Sequence, residues 1–274
     1  MLTRKPVSEL GNDVLVSRYQ SLLHACRVKD LRFLVPTFIS DAFHETRIEV
    51  ERRGISPDIG PSIINTDDPD PINHDHSIVR YLEEPYLSQF LSGTISLGHA
   101  KDCAADPNPA RKDDEQKRMF MHPNQVVTIG EIKYPTSDIE FKIQILGDDC
   151  LPLSYHFVSF STEESVKLAR AFGTDGCVII KDPSKFFDLL EKEIIRRYPK
   201  ADVSRSNVTY YDPLAGNPSR KTPYDLLSRK TIDYYFQHEV RIIVEGADGL
   251  DDRLNLQISP PEGLFQLRKF AWPN

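Results

Sequence analysis

Apolar positions recur at helical spacing near the start of the chain. The pattern predicts helices over residues 13–28 and 35–53. Residues 55–75 are rich in Pro, Asp and Asn, and they follow neither the helical nor the strand period. We therefore expect an N-terminal helical region over residues 1–54, a linker over residues 55–75 and a larger α+β domain over residues 76–274.

Short strands and helices alternate through the larger domain. Residues 126–134 and 139–146 have the pattern of a hairpin joined through Pro135–Asp138, and residues 254–258 alternate as an edge strand does. The other clear elements are strands over residues 77–82, 94–97 and 177–181, and helices from Pro85 to Leu91 and from Ser184 to Tyr198. This mixed order predicts an α+β fold.

An aromatic strand from Tyr155 to Phe160 leads into a further helix. Ser161, with Glu164 three residues later, matches a capping box at the start of that helix. Ser161 therefore has a structural explanation. Ser159 has none of this kind, because it lies inside the strand, on the same face as Ser161.

The run from Tyr234 to Val244 is β-branched and aromatic, yet it carries amide and charged side chains. In a strand, Gln237 and Glu239 would point the same way, about 7 Å apart. One interpretation is a half-exposed strand whose Glu239 pairs with Arg241 on a wet face. The other interpretation is that Gln237 and Glu239 belong to a functional site. This stretch alone leaves both open.

Composition narrows the class of protein. Hydrophobic residues make up 39% of the chain and charged residues 27%, which is typical of a globular domain. There is no apolar run of about 18 residues and no leader pattern, so we expect a cytoplasmic location and no membrane contact. The four cysteines are scattered without a Cys-x-x-Cys pair, which argues against zinc and disulfides. The net charge of -7 disfavours extended contact with nucleic acid.

The order of Arg80, then Ser159 with Ser161, then Gln237 with Glu239 resembles the arginine–serine–glutamate class of ADP-ribosyltransferases. In that class a first strand carries Arg, a middle strand carries Ser-Thr-Ser and a late strand carries Gln-x-Glu. Here Phe160 stands in place of the middle Thr, and the gaps between the motifs are longer than in compact members. The segments 90–95 and 230–241 also look like uncharacterised bacterial defence-island families that have been related to this fold.

This resemblance implies a split, mixed or antiparallel β-sheet core. It also implies that NAD is the substrate and that ADP-ribose passes to a macromolecular acceptor, either protein or RNA. A bacterial toxin or phage-defence effector of this class would need a neutralising antitoxin protein during normal growth. No bound metal is implied.

The chemistry assigns each matched residue a role. Breaking the bond between nicotinamide and ribose builds positive charge on the ribose, which the carboxylate of Glu239 would stabilise. Arg80 would donate two parallel hydrogen bonds to the diphosphate. Ser159 would hold the nicotinamide ribose or brace Glu239, and Gln237 would face the acceptor. The remaining binding residues predicted are Ser161, Tyr155 and Phe160, the last two as rings that stack on nicotinamide.

Two other classes of function remain open from the sequence. The chain could be a non-catalytic interaction module whose N-terminal helices form the partner surface. A metal-dependent nuclease could use Asp113, Asp114, Glu115 and Glu131, although nucleases normally collect their carboxylates at strand ends and this cluster is predicted to lie in a loop.

Overall fold

The computed structural model describes residues 6–28, 37–57, 72–73, 76–103, 105–108, 110–111, 117–120, 126–129, 132–135, 141–144, 155–211, 227–246 and 253–271. Within these ranges the protein is a mixed α+β structure with six α-helices and a large antiparallel sheet. The helices are α1 (Asn12–Val28), α2 (Thr37–Arg52), α3 (Glu84–Leu91), α4 (Ala100–Cys103), α5 (Val166–Phe172) and α6 (Pro183–Arg197).

Sixteen short strands are found in the same ranges. They are β1 (Ile72–Asn73), β2 (Ile78–Leu82), β3 (Thr94–His99), β4 (Lys117–Phe120), β5 (Val126–Ile129), β6 (Ile132–Pro135), β7 (Phe141–Gln144), β8 (Tyr155–Ser161), β9 (Glu163–Glu164), β10 (Gly176–Ile180), β11 (Asp202–Asn207), β12 (Thr209–Tyr211), β13 (Arg229–Thr231), β14 (Glu239–Glu245), β15 (Arg253–Gln257) and β16 (Phe265–Lys269).

The chain forms two compact units, each assembled from three stretches. The first contains Met1–Ile64, Lys117–Ile145 and Thr209–Phe236, and the second contains Asn65–Gln116, Leu146–Val208 and Gln237–Asn274. Most of the predicted linker, residues 55–75, lies outside the described ranges. The three-part linear division therefore stays a prediction.

The first unit contains the two predicted N-terminal helices, which are confirmed as α1 and α2. They pack side by side, and the rings of Tyr19 and Phe43 stack with their centroids 5.6 Å apart. At the end of α2, the guanidinium of Arg53 donates to the carbonyls of Leu10 at 2.7 Å and Ser8 at 2.9 Å. The C-terminal end of α2 is therefore tied to the segment that precedes α1.

The second unit is built on the sheet in the strand order β11-β14-β8-β2-β10-β16. One edge of the middle strand β8 pairs along its length with β14. The other edge is shared: β2 pairs with it at Ser161, whereas β3 pairs with it at Phe157 and His156. The sheet is thus split beside the middle of β8, and β3 continues outward to β15.

An apolar core covers one face of this sheet. Helix α6 begins at Pro183, with Asp182 as its N-cap accepting from the Lys185 N–H at 3.0 Å, and it buries Phe186, Phe187, Leu190 and Ile194. Its rings meet Phe160 of β8 edge to face, at 5.4 and 5.7 Å between centroids. Burying each such ring stabilises the folded state by about 1.5–3 kcal/mol. This face of β8 therefore forms part of the apolar core.

The predicted hairpin between residues 126–134 and 139–146 is wrong. Strand β5 pairs with β6 instead, and β7 pairs with β4. Only two residues separate β5 from β6, and a two-residue connection is among the commonest for a hairpin. In the sequence, Pro135–Asp138 resembles a turn more strongly than residues 130–131 do, so the turn was predicted at the wrong position.

The predicted capping box at Ser161 is also wrong. Ser165 caps α5, because its Oγ accepts from the Leu168 N–H at 3.2 Å. Ser161 ends β8, where its Oγ accepts from the Glu163 N–H at 3.1 Å. Glu164, the residue that completed the predicted motif, lies instead in the short strand β9, which pairs with β1.

Stability should depend on a carboxylate pair at one end of the sheet. Asp202 and Glu245 lie opposite each other in the ladder between β11 and β14. Burial, assisted by the charge of Asp202, raises the pKa of Glu245. A carboxyl group with a raised folded-state pKa stabilises the fold below its unfolded pKa, and that contribution is lost as the pH rises through the folded pKa.

We therefore predict that Glu245→Gln raises the free energy of unfolding at pH 7 by about 0.2–1 kcal/mol, because it removes a cross-strand repulsion. Near pH 4 the gain should shrink toward zero. Urea unfolding at both pH values measures this, with the exposed Glu262→Gln as the control. An equal gain at both pH values would show that the charge is not the cause.

Candidate functional site

A buried ion pair lies at the start of β14. Arg241 donates from Nε to Glu239 Oε1 at 3.0 Å and from Nη2 to Oε2 at 3.3 Å. Arg241 has no exposed surface, and Glu239 is 7% exposed. The interpretation in which Glu239 pairs with Arg241 is therefore correct about the partner, but the strand face is not wet.

The pair lies on the sheet face opposite the apolar core. Val240 and Ile242 pack toward the core, so the alternation places Glu239 and Arg241 on the other side. On neighbouring β8, Glu239 is opposite Ser161 and Arg241 is opposite Ser159. Residues directly opposite in a ladder share a face. The structure thus brings both predicted serines to the carboxylate.

An aromatic ring supports the arginine on this face. The Arg241 guanidinium lies 4.9 Å from the ring centroid of Phe157, two residues before Ser159. A buried charge is tolerated when it is paired and hydrogen-bonded, and a ring face adds a cation–π contribution. The Arg241 side chain is itself held in place, and it therefore fixes the orientation of the Glu239 carboxylate.

The two serines differ in their hydrogen bonding. Ser161 Oγ already accepts the backbone N–H of Glu163, as described above. Ser159 Oγ is buried and has no hydrogen-bond partner among the residues that the structure describes. Buried hydroxyls are normally satisfied, so Ser159 offers a donor and an acceptor to a ligand.

Arg80 lies in the split of the sheet. Its Nη1 donates to the carbonyl oxygen of Ser159 at 2.6 Å, on the edge of β8 where β2 and β3 diverge. Arg80 therefore meets Ser159 through the backbone rather than through the hydroxyl. Burial lowers the pKa of Arg80 to about 10, and the negative charge of Glu239 opposes that shift. The guanidinium and the carboxylate thus act on one another electrostatically.

The predicted strand from Tyr234 to Val244 is only partly correct. Strand β14 begins at Glu239, and Ile232–Gln237 is a 3₁₀ helix. Between them His238 has φ 43°, the one positive φ of a non-glycine residue in the described ranges. Gln237 and Glu239 are therefore not neighbours on one pleated strand. His238 adopts the left-handed backbone conformation, which histidine tolerates better than most residues do. This conformation breaks the alternation of the strand.

Gln237 contacts a loop rather than open space. Its Nε2 donates to the carbonyl of Ala110 at 2.6 Å, and the side chain is buried. The role predicted for Gln237, facing an acceptor, has no geometric support.

The two predicted stacking rings are buried. Phe160 is in the aromatic core described above, and Tyr155 is 1% exposed and packs against Phe157 at 6.0 Å between centroids. Neither ring is open to a ligand, so the stacking role predicted for Tyr155 and Phe160 has no geometric support. The sequence patterns missed Glu163 and His238, whose Oε1 and Nε2 lie 3.7 Å apart beside Ser161.

The described part of the chain was searched for metal-binding clusters and for membrane-spanning helices. It contains no group of three or more His, Cys, Asp or Glu side chains that could hold a metal ion. The carboxylates proposed for a nuclease, at positions 113–115 and 131, lie outside the described residues. Among the helices described, none is long and apolar enough to cross a membrane.

Comparison with known proteins found no family model, no curated protein and no solved structure that matches the chain. The site is therefore defined by its geometry: Glu239 and Arg241 on β14, Ser159 and Ser161 on β8, and Arg80 in the split.

The buried pair predicts a characteristic stability pattern. Arg241→Met should lower the free energy of unfolding by about 3–5 kcal/mol, because it leaves the Glu239 carboxylate buried and uncompensated. Combining it with Glu239→Gln should restore part of that loss, since no charge then remains. Urea unfolding of the single and double variants measures both effects.

The control for that series is Arg196→Met. Arg196 pairs with Glu193 on α6 with 71% of its side chain exposed, and such pairs contribute about 0–1 kcal/mol. Equal losses for the two arginine variants, or a double variant less stable than Arg241→Met, would contradict a charge-paired site.

Proposed function

We propose that this protein is an NAD-dependent ADP-ribosyltransferase in which Glu239 is the catalytic carboxylate. The observation that carries the proposal is the buried bidentate pair, because it holds one carboxylate in a fixed orientation, in register with Ser159 and Ser161. Such a preorganised negative charge suits a reaction that develops positive charge.

The reaction breaks the bond between the ribose C1′ and the nicotinamide nitrogen. The bonding electron pair leaves with nicotinamide, which becomes neutral, and the ribose acquires cationic character. A nucleophilic group of the acceptor then attacks C1′ and loses its proton to solvent or a nearby base. Glu239 stabilises the cation without forming a bond to it.

Pairing with Arg241 orients the carboxylate. Arg241 donates one hydrogen bond to each of its two oxygens, and a bidentate contact of this kind fixes the geometry of both groups. Arg241 thus sets the direction of the Glu239 carboxylate, and its positive charge offsets part of the negative potential of that carboxylate.

The neighbouring residues support the same assignment. Ser159 has a buried hydroxyl without a partner in the described residues, which suits a ribose hydroxyl. Arg80 is a half-buried cation in the split, and a planar guanidinium is matched to phosphate oxygens. The split beside β8 also fits the sheet that the resemblance to ADP-ribosyltransferases implies, and it supports that finer assignment of the fold.

The acceptor would be protein or RNA, and the net charge of -7 makes extended RNA contact the less favourable of the two. As a toxin or phage-defence effector, the protein would require a neutralising partner in the cell that makes it. A non-catalytic interaction module is the rival function, and it predicts that NAD stays intact with any acceptor.

We predict that Glu239→Gln lowers the rate of ADP-ribosyl transfer about a hundredfold to a thousandfold, equivalent to about 3–4 kcal/mol in the barrier. The amide keeps an oxygen for Arg241 and loses the charge. The measurement uses NAD labelled in the adenylate part, incubated with protein and lysate, and circular dichroism checks the fold.

Glu245→Gln at the far end of the same strand is the matched control and should transfer at the wild-type rate. Full activity in Glu239→Gln would remove Glu239 from the mechanism. Absence of any transfer or NAD cleavage by the wild type would favour the interaction module.

A further inference from the structure

Strand β16 is an open edge of the large sheet. It is the last strand in the order β11-β14-β8-β2-β10-β16, and within the described residues it pairs only with β10. The residues from Gln266 to Lys269 are all exposed. An exposed edge strand presents N–H and C=O groups that form a template for pairing with another strand.

Hydrogen bonds at both ends of β16 show which of its backbone groups point outward. The Lys181 N–H donates to the Leu264 carbonyl, and the Phe270 N–H donates to the Asp175 carbonyl, both at 3.0 Å. In an antiparallel ladder, hydrogen-bonded pairs alternate with non-hydrogen-bonded pairs. The even-numbered residues of β16 therefore bond to β10. The outward groups belong to Phe265, Leu267 and Lys269.

The positive charges of this edge are already neutralised within the protein. Arg268 Nε lies 2.8 Å from Glu164 Oε1, and the Lys269 ammonium pairs with Glu84 at the start of α3. Charged side chains on an edge strand normally discourage a second strand from pairing with it. With both cations paired, this protection is weak, and β16 offers no unpaired cation that an acidic partner strand could recognise.

An apolar side chain lies at the centre of the edge. Leu267 is 38% exposed. It shares a sheet face with Phe265, whose ring centroid lies 5.3 Å from that of Phe90 on α3. Tyr86 of the same helix is 52% exposed. The edge strand and the helix that packs against it thus both present apolar surface to solvent.

The sequence of β16 is self-complementary when the strand faces a second copy of itself in antiparallel orientation. If Leu267 lies opposite its own copy, Phe265 lies opposite Lys269. Gln266 lies opposite Arg268 in the same register. No like charges then face each other, an arrangement that would destabilise a ladder. The outward backbone groups of the two copies meet, and the contact closes on itself as a two-fold dimer.

We propose that β16 joins two copies of this protein into a symmetric dimer whose sheet continues across the two β16 strands. Each Leu267 N–H donates to the Leu267 carbonyl of the other copy, and Phe265 and Lys269 exchange hydrogen bonds in the same way. The Leu267 side chains meet at the symmetry axis. This inference does not depend on the activity proposed above, because β16 carries none of the residues of the Glu239 site.

Charge exchange at position 267 tests the dimer. Wild-type protein should sediment with twice the mass of one chain and dissociate on dilution. Leu267→Glu and Leu267→Lys should each raise the dimer dissociation constant about tenfold or more, because like charges then face each other at the axis. An equimolar mixture of the two variants should restore the dimer, since opposite charges then meet. Sedimentation equilibrium measures the mass of every sample.

Matched variants on α6 are the control, and circular dichroism checks the fold of each variant. Ile195 is 41% exposed, and Ile195→Glu and Ile195→Lys should dimerise as the wild type does. A wild type that stays monomeric at every concentration, or position-267 variants that dimerise normally, would overturn the proposal. A mixture that stays monomeric would overturn it too, because position 267 would then not face itself.

A second pair of variants separates strand pairing from a side-chain contact. Leu267→Pro removes the outward N–H, and proline is tolerated on edge strands whose N–H faces solvent. Leu267→Ala removes the same side chain and keeps the N–H. The proline variant should dimerise about tenfold more weakly than the alanine variant, because each dimer loses the main-chain hydrogen bonds at its axis. Equal dissociation constants would show that the two strands do not pair.

Discussion

The ion pair between Glu239 and Arg241 is the interaction on which the rest of the site depends. Arg241 has no exposed surface, so its charge is tolerable only with a partner held at hydrogen-bonding distance. Well-packed apolar residues would often stabilise such a position equally well or better. A buried pair kept in the middle of a sheet therefore calls for a functional reason, and an oriented carboxylate is one.

The features around the pair converge on the same end of β8. The left-handed His238 starts β14 at Glu239, and its carbonyl accepts from the Thr162 N–H at 3.0 Å. A strained residue of this kind is often found at functional sites. Gln237 donates to the carbonyl of Ala110. The Glu239 carboxylate and the two arginines, Arg80 and Arg241, lie within one compact unit.

Local patterns predicted the elements that depend on local physics. The N-terminal helices, the strand with Arg80 and the buried strand β10 were predicted because periodicity and punctuation by Gly and Pro determine them. The strand containing Gln237 and Glu239 was misjudged because a 3₁₀ helix rich in aromatics has the composition of a strand. Composition alone gives no sign that His238 adopts the left-handed backbone conformation.

The other misses arose from long-range contacts. The burial of Arg241 cannot be read from its own strand, because alternation distinguishes two faces but does not say which of them is covered. The bond between Gln237 and Ala110 joins residues 127 positions apart. The aromatic run of β8 likewise gave no sign that Phe160 points into the core while Phe157 lies under Arg241. These are properties of packing, and they emerge only when the strands are in register.

A crystal structure of the Glu239→Gln variant with NAD tests the central claim most directly. The account predicts that the amide at position 239 lies within hydrogen-bonding distance, about 3.2 Å, of a hydroxyl of the nicotinamide ribose, with Ser159 beside the same ribose and the diphosphate at Arg80. NAD bound on another face of the sheet, or no NAD bound at saturating concentration, would contradict it.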